Sequence, residues 1–518
     1  MKAKLDYLEY VALPWYTQIG YKIWRFLYFI VFALVDLVVG LAKQVWSFIK
    51  KIGVSIKKMY ISLRFGDWAT KLSFLFVGTG YIKRGQIVKG ILYLIVEVAF
   101  ILFMILFGGK YFTKFFTLGS VASTFSCEDM EGSWATREEE AEKAGCYFPV
   151  QKTVDISELY LLYGVIIIVA VIAFIVFYAK VTIGAFKVEC NKEEGKHVNN
   201  FKEDVGELLN GKFHITLLTL PILGVLVFTI FPLIDMVLMA FTSYDVNHQS
   251  PSNTFDWVGL KNFADIFALG GGNTSFAYTF GELLKWTILW AILATFTNFI
   301  LGVLVATIIN RKGIKLKSMW RTFLVLSVAV PQFVSLLAMN QFLSDDGIVQ
   351  NLILSWTGKK VLFMNSALIA RTIVVCVNIW IGIPYTVLST TGILMNIPAD
   401  LYESAKIDGA NSVVMYTKIT IPYIFFVLGP SLITTFIGNV NNFGVIFLLT
   451  GGAPKTSAYY SGAGKTDILI TWLWTLTKDR QLYNQASVVG LMIFFISAIL
   501  STIVYRNSSS FKNEEDFS

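Results

Sequence analysis

The sequence predicts an all-α membrane protein: a polytopic bundle of eight firm transmembrane helices, with a ninth, N-terminal candidate left open. Composition points there first. Of 518 residues, 55% are hydrophobic and only 15% charged, whereas a soluble domain carries about 25% charged residues. Mean hydropathy is +0.63. Apolar runs of spanning length recur at 88–107, 159–179, 214–241, 282–309, 320–343, 367–393, 423–450 and 486–506. Lipid offers backbone groups no water, so such runs must be helical. These features exclude a soluble globular enzyme, a disordered chain and a nucleic-acid-binding module. The net charge of +8 then concerns topology.

Taken in order, residues 1–87 form a basic N-terminal region. Its apolar run Trp24 to Ala42 is short and interrupted by Asp36. If it crosses, the N-terminus lies outside; if it lies in the interface, the N-terminus stays inside. Both remain open. Val45 to Tyr60 interleaves apolar residues with Lys50, Lys51, Lys57 and Lys58, the pattern of a basic amphipathic helix on the cytoplasmic surface. Residues 43–89 hold ten Lys/Arg against one acid, Asp67, while 110–158 hold nine acids and five bases. The excess of Lys/Arg places 43–89 in the cytoplasm and 110–158 outside. Counting on, 180–213, 310–319, 394–422 and the tail 507–518 are cytoplasmic. The loops 242–281, 344–366 and 451–485 are external. Residues 88–200 carry two extra spans around the acidic loop, and 210–506 carry six.

Cysteine and histidine point to little chemistry. Cys127 and Cys146 flank the acidic external loop. They either bridge, closing a loop worth ~3 kcal/mol in the entropy model, or stay free thiols. Cys190 and Cys376 are isolated, His197, His214 and His248 are scattered, and no metal site is expected. Met1 to Gly20 shows no cleavable signal pattern. Gly462-Ala463-Gly464-Lys465-Thr466 imitates half a P-loop, but Tyr459 stands where a Walker A motif needs glycine.

The loop 398–422 is the most specific feature. Pro398 opens a short helix that Gly409 can end, and Ala410 to Tyr416 allows a second short helix. Two short helices at an angle make a compact protrusion suited to another protein's groove. Glu403-Ser404-Ala405, three residues, Gly409, nine residues, then Ile419-Thr420-Ile421-Pro422 resembles the EAA loop of binding-protein-dependent ABC importers. Asp408-Gly409-Ala410 is similar to the form common in sugar permeases. Thr242-Ser243-Tyr244, Val258 to Phe263 and Asn442-Phe443 resemble the larger membrane subunit of maltose-type importers. The resemblance covers 210–506 and implies a six-helix type I importer core. It implies that Glu403, Ser404, Ala405, Asp408, Gly409 and Ala410 couple to a cytoplasmic ATPase.

Polar residues at mid-membrane depth are costly and often functional. Asn378 lies near the middle of its span, with Gly382 and the helix-kinking Pro384 beside it. Thr435, Asn439 and Asn442 recur at helical spacing in another span. Interhelical hydrogen bonding explains such residues equally well. The resemblance tips the balance. It implies a sugar site walled by Asn378, Ile381, Gly382 and Tyr385, by Thr435, Gly438, Asn439 and Asn442, and by Val328 and Gln332. Val328 and Gln332 depart from the maltose pattern, which has Tyr and Ser there, and Gly438 replaces an aromatic. Weaker ring stacking puts maltose itself in doubt, though not a sugar.

No Asp, Glu, Lys or Arg joins this set, which favours a neutral cargo and disfavours the alternative, an ion-coupled secondary transporter. The resemblance implies a bacterial cytoplasmic-membrane permease without its own ATPase site, working with a second permease subunit, two ATPase subunits that hold ATP and Mg, an extracellular solute-binding protein and a neutral oligosaccharide. No nucleic acid is expected as a partner, and no cofactor on this chain.

Overall fold

A computed structural model describes residues 14–119, 125–126, 150–151, 155–250, 253–268, 275–311 and 313–507. Cys127, Cys146 and the tail from 508 onward lie outside the described residues. Among the described residues, seven helices are long and apolar enough to cross a membrane: Ile87–Thr117, Ser157–Glu193, Phe213–Met239, Phe276–Asn310, Ala367–Asn396, Ser412–Val440 and Tyr483–Thr502. A bent pair, Lys317–Ala329 and Gln332–Thr357, meeting at 87°, has the composition of an eighth span or a re-entrant loop. The predicted span 320–343 is therefore broken in its middle. Pro331 is the cause, because it forces Val330 into an extended conformation (ψ 125°) and supplies no amide to continue the helix.

The predicted span 423–450 also divides. The helix Ser412–Val440 ends before Asn441, and Asn442 caps a separate helix, Phe443–Thr450, by accepting the Val445 amide at 3.3 Å. Asparagine at a helix start competes for that amide better than a continuing turn would. Two proline positions are handled alike. Wide π-turns at Leu226–Ile230 and Tyr416–Thr420 end two residues before Pro232 and Pro422. The widened turn makes room for the ring and for the hydrogen bond that proline cannot donate.

The chain divides into two compact units, Met1–Leu34 with Asn262–Ser518, and Val35–Lys261. One helix, Trp15–Phe65, runs through the division at Leu34. In the first unit a core of Trp286, Trp290, Leu336, Val374, Val377, Val445, Ile446 and Ile468 packs Phe276–Asn310 against its neighbours. A second cluster of Phe299, Val303 and Ile424 ties that helix to Ser412–Val440.

The second unit buries Val77, Tyr81, Val181 and Ala185 together, and Leu118, Leu161 and Phe255 together. The basic stretch 43–89 is more than a topological signal here. It folds two short helices, Trp68–Leu72 and Thr79–Lys83, onto Ser157–Glu193. Asp67 caps the first, accepting the Thr70 amide at 2.8 Å. Lys83 lies 2.6 Å and Arg84 2.9 Å from the Asp67 carboxylate, and Arg84 lies 3.0 Å from Glu189. The Thr70 hydroxyl donates to Glu189 at 2.6 Å. Glu97 accepts the Val77 amide at 2.8 Å, while Lys89 pairs with Asp204 at 2.7 Å. Between the flanks of the acidic loop, Phe125–Ser126 and Val150–Gln151 form a two-residue antiparallel ladder.

Candidate functional site

Three helices of the first unit, Phe276–Asn310, Ala367–Asn396 and Ser412–Val440, line an open cavity of about 350 Å³, with Gln332 and Asn442 joining from their neighbours. The packing of the first two begins with small residues. A Cβ at Gly382 would run into the Asn298 amide, and one at Gly302 into the Thr386 side chain. The two glycines lie one on each helix, so the backbones approach closely in both directions. The seam leaves a polar lining: Thr295, Asn298, Thr386, Ser389, Ser431 and Thr435, with Asn378, Asn439, Asn442 and Gln332. No side chain lining it is an acid, lysine or arginine.

Eight of the ten residues expected at the solute path line this one cavity: Gln332, Asn378, Ile381, Gly382, Tyr385, Thr435, Asn439 and Asn442. Val328 and Gly438 do not. Val328 lies on Lys317–Ala329, before the bend that turns Gln332 inward, and the space around Gly438 is open. Asn442 reaches the cavity from the start of the next helix and not from one shared helix face.

The amides play different parts. Asn439 is a structural hub. Its Nδ2 donates to the Thr295 hydroxyl at 2.9 Å, its carbonyl accepts the Trp290 indole at 3.1 Å, and Asn442 Nδ2 donates to its Oδ1 at 3.3 Å. Interhelical bonding therefore accounts for much of Asn439. Asn378 differs: it is 5% exposed and its Nδ2 has no partner. Asn298 Oδ1, on the facing helix, is likewise buried and unpartnered. A buried donor and acceptor left unmade cost ~1–3 kcal/mol each; the protein covers both atoms, so a guest's hydroxyl groups pair with them once the wall parts.

Sequence reasoning missed Thr295 and Asn298. The signal was present, since both are polar residues inside the run 282–309. Trp380 was passed over too. It is 50% exposed and lines a second, mostly apolar crevice of about 480 Å³ with Phe323, Leu326, Val334 and Phe342.

The loop 398–422 has the expected first half. Helix Ala399–Ile407 starts after Pro398, and Gly409 sits at φ 79°, a left-handed conformation that a side chain opposes. The Gly409 amide donates to Lys406 O at 3.0 Å and the Ala410 amide to Ala405 O at 2.8 Å, the paired closure of a Schellman motif. The second half differs from the expectation of a short helix. Asn411 caps a helix at Ser412 that continues as the span to Val440, because the wide turn before Pro422 lets it run on. Tyr402 and Thr420 hydroxyls meet at 2.8 Å and fasten the short helix to this span. Glu403, Ser404, Asp408 and Gly409 are exposed, Ala405 and Ala410 partly so. Leu401, Ile407 and Val413 expose apolar surface around them, Ile407 to 87%.

The P-loop imitation is occupied by its own structure. Gly464 N donates to Asp467 at 2.7 Å, Thr466 Oγ1 donates to Ala453 O at 2.7 Å, and the Lys465 ammonium lies over the Tyr459 ring. Among the described residues, no group of three His, Cys, Asp or Glu could hold a metal ion.

Comparison with known proteins gives concordant findings. The model of the family described as binding-protein-dependent transport system inner membrane component matches residues 298–509. The maltodextrin transport system permease protein MdxF of Bacillus subtilis (strain 168) is 32% identical over 448 residues, 85% of this chain and 95% of that protein. The galactooligosaccharides transport system permease protein GanP of the same organism is 34% identical over 364 residues, 70% of this chain and 85% of that protein. The maltodextrin permease MalC of Streptococcus pneumoniae serotype 4 (strain ATCC BAA-334 / TIGR4) is 31% identical over 449 residues, 85% and 95% of the respective chains.

Proposed function

We propose a transport role from one premise: the chain belongs to the family of binding-protein-dependent transport system inner membrane components. It is a multi-pass permease subunit of an ABC importer in the bacterial cytoplasmic membrane, and its cargo is a neutral oligosaccharide. The observation that carries this reading is the cavity between Phe276–Asn310, Ala367–Asn396 and Ser412–Val440. Amides and hydroxyls line it, no acid, lysine or arginine does, and Asn378 Nδ2 and Asn298 Oδ1 wait there without partners. Such a lining matches sugar hydroxyls, which donate and accept alike. The relatives named for maltodextrin and galactooligosaccharides support the same class of cargo. Ion-coupled secondary transport is not favoured, because the family is binding-protein-dependent and no carboxylate lines the cavity.

The driving force comes from two separate ATPase subunits, which bind ATP and Mg. The loop around Glu403, Ser404, Ala405, Asp408, Gly409 and Ala410 docks there, its exposed Leu401, Ile407 and Val413 entering the ATPase cleft. Closure of the ATPases moves the loop, and the loop is continuous with the wall helix Ser412–Val440 through the Tyr402–Thr420 contact. A lever built this way links nucleotide state to the cavity. A second permease subunit completes the path, and a solute-binding protein delivers cargo from outside.

The test is uptake in vesicles holding the whole complex. ATP-dependent uptake of labelled maltodextrin should fall in Asn378→Ala, while co-purification with the ATPase subunits is unchanged. Wild-type uptake by Asn378→Ala would reduce that amide to helix packing.

A further inference from the structure

We propose that residues 43–65 form an anionic-lipid docking strip, lying in the headgroup plane of the bilayer with one face in the acyl region. The helix Trp15–Phe65 runs through this segment unbroken. The segment carries Lys43, Lys50, Lys51, Lys57, Lys58 and Arg64 and no acid. At 3.6 residues per turn the six cations fall within an arc of about 140°. Val45, Ile49, Ile52, Ile56, Tyr60 and Leu63 fall opposite, within about 80°, although Trp46, Val54 and Phe65 lie inside the cationic arc. All six are exposed, from 43% at Ile52 to 61% at Ile56.

The chain's own contact uses a third sector. Ser62 and Gly66 are buried, and a Cβ at Gly66 would press on Ser62 O and Thr70. That contact lies at the end of the helix and leaves the apolar sector uncovered. The nearest acid in sequence, Asp67, is taken up by Lys83 and Arg84. Among the described residues none of the six cations forms a salt bridge, which leaves their charge for another partner. That partner is a bilayer because the segment precedes the span Ile87–Thr117 by about twenty residues, and an apolar face flanked by cations is what a headgroup layer with anionic lipids complements. Long lysine stems allow the ammonium groups to reach phosphates while the isoleucines sink.

The experiment places nitroxide labels singly at positions 49 to 58 of the full chain. Cys127, Cys146, Cys190 and Cys376 are first replaced by serine, and the transporter is reconstituted in phosphatidylcholine vesicles with and without phosphatidylglycerol. Labels at 49, 52 and 56 should collide with oxygen more than with a water-soluble nickel complex, and labels at 50, 51 and 57 the reverse. Phosphatidylglycerol should deepen the first set, and high salt should cancel the gain. Lys50→Glu with Lys57→Glu should remove the phosphatidylglycerol dependence while transporter assembly persists. Labels at 49, 52 and 56 open to the nickel complex in both vesicles would overturn the proposal, as would shielding from both agents, which marks a protein surface. Equal depth in the two lipid mixtures would overturn the anionic preference.

Discussion

Gly382→Ala is a one-carbon change with a readable sign. In an exposed helix interior, glycine to alanine stabilises by about 1 kcal/mol, because alanine loses less backbone freedom. Gly392, on the same helix, has nothing within 4 Å of the Cβ it would acquire. Gly392→Ala should therefore raise the apparent melting temperature of the purified protein. At Gly382 the new methyl group meets the Asn298 amide across the seam. Overpacking of this kind costs about 1–3 kcal/mol, which cancels or exceeds the helix gain, so melting should stay level or fall. Uptake should fall further, since the amide that must move belongs to the cavity wall. Asn298→Ala added to Gly382→Ala should restore the melting temperature, with a coupling energy of about 0.5–3 kcal/mol in a double-mutant cycle, but not the uptake. Equal stabilisation by Gly382→Ala and Gly392→Ala would refute the close seam.

Other perturbations read other parts. Gly409→Ala places a side chain at φ 79°, at a cost of about 1–2 kcal/mol. It should weaken coupling of ATP hydrolysis to uptake with the protein still in the membrane, and Gly409→Asn should do so less. Arg84→Met leaves the buried Glu189 without its cation and Asp67 with Lys83 alone. Breaking a buried pair costs about 3–5 kcal/mol, and thermal unfolding of the purified chain should register it. The same cluster gives a pH dependence. Burial pushes the Asp67 carboxyl up, but the Lys83 hydrogen bond, the Thr70 amide and the Arg84 and Lys83 charges together hold it well below the usual carboxylate range. Its folded pKa is lower than its unfolded one, so its stabilisation is complete above about pH 4 and fades as pH falls below that. Asp67→Asn should flatten that acid limb. Asn378→Ala removes a buried donor that has no partner, so melting should hold or rise. Cargo affinity should drop by the worth of one hydrogen bond, about 0.5–1.5 kcal/mol.

What the sequence made legible follows from which forces act over long runs. Apolar composition marks spans because lipid demands it continuously, so most spans were visible as uninterrupted runs. Breaks inside such runs are set by single residues. Pro331 and Asn442 interrupt helices whose composition remains apolar on both sides, and hydropathy does not register them. Helix starts beyond the lipid were hidden for the opposite reason, as at Ser412, where a polar stretch belongs to the same helix as the span. The polar wall was legible where an amide stood near a proline or recurred at helical spacing, as with Asn378 and Asn439. Asn298 escaped because its role depends on a glycine one helix away. The cluster of Asp67, Arg84 and Glu189 escaped similarly, since Glu189 lies more than a hundred residues from the other two.

The account rests on a neutral sugar crossing through the cavity under an external ATPase. The most direct measurement is ATP-dependent uptake by the reconstituted complex, with labelled maltodextrin, galactooligosaccharide and a uronate oligosaccharide offered separately. A neutral oligosaccharide should be taken up only with ATP and the ATPase subunits present, and the uronate should be excluded. Uptake that persists without ATP and follows an ion gradient, or a preference for the charged oligosaccharide, would contradict it.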